Sequence, residues 1–212
     1  YPIMEWGTKE AQDKYIEALV TGKKAGCVCF SEPNAGSDLA AMETKIEDKG
    51  DHFLVNGTKT WISNGTFADI AIIYGTTDRS FKATGIVGLV IETDQKGRMP
   101  HEIDKLGDKN SPIAEITMED VVVPKENLLG EIGGGFKVAM TSLDRGRISV
   151  STGALGVAQA CLNASVKYAN ERSQFGQLIG KFQMVQSIIA DMVAHVEAAR
   201  HLVRYAAWRN DQ

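Results

Sequence analysis

The apolar positions of the chain follow three different patterns. Between Thr8 and Val20, residues Ala11, Tyr15, Ile16, Leu19 and Val20 recur at near-helical spacing, which predicts an amphipathic helix that stops at Gly22. From about Ala25 to Pro124 the apolar runs are short and bounded by turn residues. They read as strands over Cys27 to Phe30, Thr44 to Glu47, His52 to Val55, Thr58 to Ile62, Ile70 to Tyr74, Ile86 to Ile91 and Ile113 to Met118. Asp48-Lys49-Gly50-Asp51 predicts a hairpin turn, and Asn56-Gly57 predicts a second tight turn with positive φ at both central residues. No helical pattern of useful length separates these runs, so the expected sheet is mainly antiparallel, closed as a barrel or folded as two packed layers.

From Gly135 onward the pattern is helical; Gly133-Gly134-Gly135 mark the change, and the glycine-rich run Gly130 to Phe136 reads as a hinge between the two zones. One helix carries Leu155, Ala158, Leu162 and Val166. The next, from Phe182 to Trp208, carries Val185, Ile188, Ile189, Met192, Val196, Ala199, Val203 and Ala206. At a rise of about 1.5 Å per residue this last helix is about 40 Å long. Two such helices cannot bury their apolar stripes on each other alone, which predicts a larger bundle or a partner subunit. The expected class is α+β: a β-barrel or sandwich followed by long helices of an incomplete bundle. Its divisions are expected at 1–24 (the last helix of an earlier domain), 25–130 (the β domain) and 131–212 (the helices).

Composition narrows the function without naming it. Hydrophobic residues make up 43% and charged residues 24% of 212, ordinary for a globular protein. A net charge of −4 gives no electrostatic footprint for nucleic acid or for a membrane surface, and no apolar stretch is long enough to span a bilayer. A first residue that is not Met suggests a fragment or a processed chain. Cys27, Cys29 and Cys161 are too few, and odd in number, for a disulfide framework, and Cys-x-Cys without a second pair is poor zinc spacing. No metal site is expected. The thiols suit a reducing compartment, bacterial cytoplasm or mitochondrial matrix. A Rossmann glycine fingerprint, a phosphate-loop Lys-Ser/Thr, a nucleophile elbow and a His-Glu-x-x-His helix are all missing.

Four segments carry candidate chemistry. Ser31-Glu32-Pro33-Asn34-Ala35-Gly36-Ser37-Asp38 follows a strand and offers hydroxyls and backbone N–H groups at a sheet end, although such residues also make plain turns. Thr58-Lys59-Thr60-Trp61-Ile62-Ser63-Asn64-Gly65 sets an indole face beside a hydroxyl two residues on, which suits a planar ring, or else a core tryptophan. Asp144-Arg145-Gly146-Arg147 on the first long helix pairs opposite charges three residues apart. Glu171-Arg172-Ser173-Gln174-Phe175-Gly176, followed by Phe182-Gln183, puts an arginine beside a glycine-bearing turn, able to clamp a phosphate or simply to face solvent.

Singly these segments are weak; their order is specific. Ser-Glu-Pro-x-Ala-Gly-Ser-Asp, Lys-Thr-Trp-Ile-Ser-Asn-Gly, Val-Pro-x-Glu-Asn-Leu-Leu-Gly (Val123 to Gly130), Glu-Arg-x-x-Phe-Gly and Phe-Gln together resemble the acyl-CoA dehydrogenase family over essentially the whole chain. The resemblance implies an N-terminal helical domain, a β domain and a C-terminal four-helix bundle. This chain would supply the last helix of the first, all of the second and two helices of the third.

The resemblance also implies an FAD cofactor, with Phe30 and Ser31 against the flavin, Trp61 flanking the ring and Ser63 near its N5 edge. Ser37 looks like a pantetheine contact, and Asp144 and Arg147 like acyl-CoA contacts. Arg172, Phe175 and Gln183 resemble residues that hold the FAD of a neighbouring subunit. A homo-oligomer follows, usually a dimer of dimers in this family. The implied reaction removes an α-proton and a β-hydride from an acyl-CoA thioester, and an electron-transferring flavoprotein takes the electrons. A same-fold acyl-CoA oxidase or flavin monooxygenase, or a non-catalytic scaffold, are the alternatives. In most branches the glutamate base lies later, beyond Gln212. In a few it lies immediately before the position matching Arg147, which here is Gly146 and cannot act as a base. No catalytic base is therefore visible, and the chain by itself is expected to be inactive.

Overall fold

The structure, a computed structural model, describes all 212 residues. It divides into two compact units, Tyr1–Ser142 and Leu143–Gln212. The first opens with a short helix α1 (Pro2–Trp6) and the amphipathic helix α2 (Lys9–Val20). Thr8 caps α2 by accepting the Ala11 N–H at 3.1 Å. Its hydroxyl also donates to the Glu126 carbonyl, and Asn127 donates to the buried Tyr15 hydroxyl at 3.1 Å, so the helix is fastened by its polar groups as well as by its apolar stripe.

Eight strands follow: β1 (Gly26–Cys29), β2 (Lys45–Asp48), β3 (His52–Ser63), β4 (Ile70–Thr76), β5 (Ile86–Glu92), β6 (Arg98–Glu102), β7 (Ile113–Pro124) and the short β8 (Leu128–Leu129). They form one sheet in the order β6-β7-β3-β2-β4-β5-β8, with β1 pairing to β4 beside that path. The ends of the path, β6 and β8, do not pair, so of the two expected forms, barrel or packed layers, the closed barrel is not the one adopted. The sheet is mostly antiparallel, but β1 and β2 both run parallel to β4. The loop from β1 to β2 crosses over instead of turning back, a connection that apolar spacing does not reveal. Cys27, Cys29, Phe53, Val55, Ile73, Leu89, Ile116 and Val123 belong to the core on one side of this sheet.

Asn56-Gly57 does not turn the chain. β3 runs straight through it, and the irregularity is absorbed opposite, where β7 carries an extra residue at Asp120 with φ 52°. Asn56 locks the bulge by donating to the Asp120 carboxylate at 3.0 Å and accepting the Asp120 N–H at 2.8 Å. Gly57, at φ 151°, meets Thr44 so closely that a Cβ there would lie 2.6 Å from its hydroxyl oxygen. β6, rich in polar residues and carrying Pro100, has no apolar run to announce it; proline is tolerated because β6 is the sheet's edge. Nor is the glycine run a loose hinge. A Cβ on Gly135 would sit 2.6 Å from the Val87 backbone, so the start of the next helix lies directly against β5.

Helix α3 (Gly135–Glu171) begins in the first unit, where Val138 and Ala139 are buried, and continues into the second. A two-stranded hairpin, β9 (Ser173–Gln174) and β10 (Gln177–Leu178), leads to α4 (Gln183–Asn210). Arg200 donates to the Gln159 side chain, tying α4 to α3, and Leu162, Ala169 and Val196 are buried in this unit. Large apolar residues on both helices remain open to solvent, including Val150, Val157, Met184, Ile188 and Leu202.

Candidate functional site

The sheet brings the first two motifs together. β1 pairs with β4 through Cys29 opposite Ile73, and the chain then passes to the other neighbour: the Ser31 carbonyl accepts the Thr60 N–H at 2.9 Å. Farther along, Asn64 donates to the Gly26 carbonyl at 3.3 Å. The Phe30-Ser31 segment therefore lies against the last turns of β3, where Trp61 and Ser63 stand. Phe30 is held from the other side by a parallel stack on Tyr74, with centroids 4.7 Å apart and planes 9° from parallel. Burial pushes the Tyr74 phenol up to about 12.

A local bulge decides what β3 shows to solvent. Between Lys59 and Ile62 the register against β7 slips by one residue, and Trp61 takes a left-handed φ of 60°. Lys59 and Thr60 both turn inward, Ile62 is buried, and Trp61 and Ser63 on either side of it are exposed. Trp61 is 61% exposed, which removes the core-tryptophan reading. A non-glycine residue at positive φ is uncommon and persists only where its surroundings hold it there. Ser31 is half-buried and Ser37 is exposed on the same loop, which is pinched at its start by mutual backbone bonds between Glu32 and Ala35.

Sequence reasoning missed the charged pair beneath this surface. Lys59 is fully buried and its ammonium lies 2.7 Å from the equally hidden carboxylate of Glu32. The Glu32 carboxylate also accepts the N–H groups of Glu43 and Thr44. Burial pushes Glu32 upward, but the Lys59 charge and these hydrogen bonds outweigh it and hold the carboxyl below its usual range. For Lys59 burial dominates and lowers the ammonium against the pull of Glu32. A lysine between two threonines on a strand looks like a solvated face, and its partner lies 27 residues earlier, so neither residue alone announces the pair.

The remaining candidates lie in the second unit. Asp144 and Arg147 are both exposed on α3, and no ion pair joins them. Arg172, Phe175 and Gln183 share one short connection. Phe175 (φ 54°) and Gly176 (φ 79°) form the two-residue tip of the β9–β10 hairpin, with both φ values positive as such a turn requires. Phe175 is 94% exposed and meets Phe182 edge-on at 6.2 Å between centroids. Arg172 and Gln183 are exposed on either side of the hairpin.

Two models of one family match in register with these elements. The acyl-CoA dehydrogenase middle domain matches residues 27–121, and the acyl-CoA dehydrogenase C-terminal domain matches residues 133–212. The chain belongs to the acyl-CoA dehydrogenase family. It is 45% identical over 213 residues to glutaryl-CoA dehydrogenase of Desulfococcus multivorans, covering 100% of this chain and 55% of that protein. It is 43% identical over 207 residues to the caffeyl-CoA reductase–Etf complex subunit CarC of Acetobacterium woodii, covering 97% and 55%. The solved structure of a glutaryl-coenzyme A dehydrogenase in complex with glutaryl-CoA superposes with a TM-score of 0.96 at 45% identity, over 100% of this chain and 54% of that one. The chain thus spans little more than half the length of the acyl-CoA dehydrogenase relatives it matches. No helix is long and apolar enough to cross a membrane, and no cluster of three metal-ligating side chains is present.

Proposed function

We propose that this chain forms the β domain and the first bundle helices of an FAD-dependent acyl-CoA dehydrogenase, acting on a short-chain or dicarboxylic acyl-CoA. The observation that carries the reading is the meeting of Ser31 with the Trp61-Ser63 segment through the 2.9 Å bond between the Thr60 N–H and the Ser31 carbonyl. An exposed indole, with Ser63 two residues along the strand and Ser31 on the segment paired to Thr60, suits a flat ring with polar edges, which is the shape and chemistry of a flavin. Phe30, Ser31, Trp61 and Ser63 would hold that ring. FAD, when bound, supplies the hydride acceptor for the β-carbon.

The protein's own share is orientation and polarity. Ser31 and Ser63 donate hydrogen bonds to polar ring atoms, while Trp61 and the Phe30 wall keep water from the ring face. Ser37 contacts the pantetheine arm, and Asp144 and Arg147 contact the acyl-CoA. Arg172, Phe175 and Gln183 reach the FAD of a neighbouring copy, which suits a hairpin tip that buries nothing of its own. The α-proton would leave to a carboxylate base, which Gly146, having no side chain, cannot be. Electrons pass on to an electron-transferring flavoprotein, in keeping with the Etf complex named for the Acetobacterium relative.

The test is direct. The full-length gene product is purified and its visible spectrum recorded, then titrated anaerobically with a panel of acyl-CoA thioesters. A flavin spectrum bleached by one of them is expected, and reoxidation by oxygen should be slow while the acyl product is bound. Fast reoxidation would favour the same-fold oxidase. A protein that takes up no flavin, or a Trp61→Ala variant with an unaltered FAD Kd, sinks the reading.

A further inference from the structure

The hydrogen bonds of the buried charged pair converge on the surface just described. Lys59 donates to Glu32 at 2.7 Å and also to the Phe30 carbonyl at 3.2 Å. Glu32 in turn takes the Glu43 N–H on one carboxylate oxygen and, at 3.0 Å, the Thr44 N–H on the other. Three pieces of chain are knotted at this point: the exit of β1, the middle of β3 and the approach to β2. Stability alone is a poor reason for such a knot, because a buried ion pair can often be replaced by an apolar pair of equal volume without loss. What charge-assisted hydrogen bonds supply is fixed distance and direction. Here they are aimed at Ser31 and Trp61. Phe30, whose carbonyl Lys59 holds, immediately precedes Ser31. Thr60, next to Lys59, binds the Ser31 carbonyl, and Trp61 follows it.

We infer that Glu32 and Lys59 are a positioning pair, which sets the spacing and relative orientation of Ser31 and Trp61 and so the fit of the flavin ring. Neither touches the ligand; both act through the backbone they hold. The inference rests on the flavin reading of the site and adds to it the residues that shape it.

The experiment compares the full-length gene product with a Glu32→Leu/Lys59→Met double variant in which the pair becomes apolar. Three quantities are read: Tm of the apoprotein, Kd for FAD by fluorescence quenching, and the visible circular dichroism of bound flavin. Positioning predicts a double variant within about 5 °C of the parent Tm. Its FAD Kd is nonetheless raised about tenfold or more, since misplacement on the ångström scale costs that much, and its visible dichroism is altered. Parent-like Kd and dichroism in a stable double variant overturn the inference, leaving the pair as plain core. Should the double variant fail to fold, Glu32→Gln is set against Val123→Ala, a core cavity beside Phe53 at the other end of β3. At equal loss of Tm, a larger Kd change for Glu32→Gln supports positioning, and equal Kd changes overturn it. A parent that binds no FAD removes the flavin reading and this inference together, a result distinct from any difference among the variants.

Discussion

The two units of this chain solve the same problem with opposite success. In Tyr1–Ser142 the sheet covers its own apolar residues: β4 is buried along its whole length, as is β5 up to its last residue, and even a lysine and a glutamate are hidden where they neutralise each other. In Leu143–Gln212 two helices, of 37 and 28 residues if the N-terminal turns of α3 are included, bury only a few side chains such as Leu162 and Val196. Val150 stays 71% and Leu202 68% exposed. Here side chains from β1, β2, β3, β4, β5 and β7 pack into one cluster, so the strands cover one another's apolar faces, whereas the stripes of two lone helices need further helices. The difference teaches that apolar burial is concentrated in the first unit, while the second leaves most of its apolar stripes exposed.

Substitutions can break that comparison. The largest effect is expected from Phe53→Ala, fully buried between β2 and β7, at about 3–5 kcal/mol in chemical denaturation. Lys59→Met should cost a similar amount, about 3–5 kcal/mol, because it strands Glu32 without its partner. A loss under about 1 kcal/mol at both positions would mean that the sheet unit is not the better buried one. Next comes Tyr15→Phe, which removes the buried bond to Asn127 and should cost about 1 kcal/mol, a test of whether α2 is fastened as described.

Acid titration sharpens the same contrast. Glu32 has a folded value below its ordinary 4.5. Its contribution is therefore complete above that ordinary value and drains away as pH falls through the lower folded one. Glu32→Gln should flatten the acid side of a Tm-against-pH curve; an unchanged slope would deny the carboxylate its ionised, hydrogen-bonded state. The smallest effect is expected from Leu202→Ala, within about 0.5 kcal/mol in the 212-residue chain. In the full-length gene product the same change should rise to about 2 kcal/mol or more if further helices cover that face. Equal costs in the two lengths would count against such cover.

Much of the architecture was legible because it is local. Periodicity found α2, most of the strands and both long helices, and the order of the motifs pointed to the family. Where the reading failed, the deciding partner was distant. Asn56-Gly57 carries a hairpin signature, yet it continues β3 because Asp120, 64 residues later, takes up the irregularity. Arg98–Glu102 lacks a strand pattern and pairs only because β7 offers an edge. Of the candidate site, the sequence offered Ser31, Trp61 and Ser63 as expectations, but not the bulge that turns the indole outward, nor the Glu32–Lys59 pair behind it.

By itself the sequence determined most of the elements, since helix and strand periods are properties of neighbouring residues, and it determined which polar side chains were available for chemistry. Only the tertiary structure decided that β1 runs parallel to β4, that Trp61 stands outside the core, and that a lysine on β3 lies wholly inside it. Those outcomes depend on burial and on hydrogen bonds between residues tens of positions apart. The free energy of a buried charge is set by the partner that the fold brings to it.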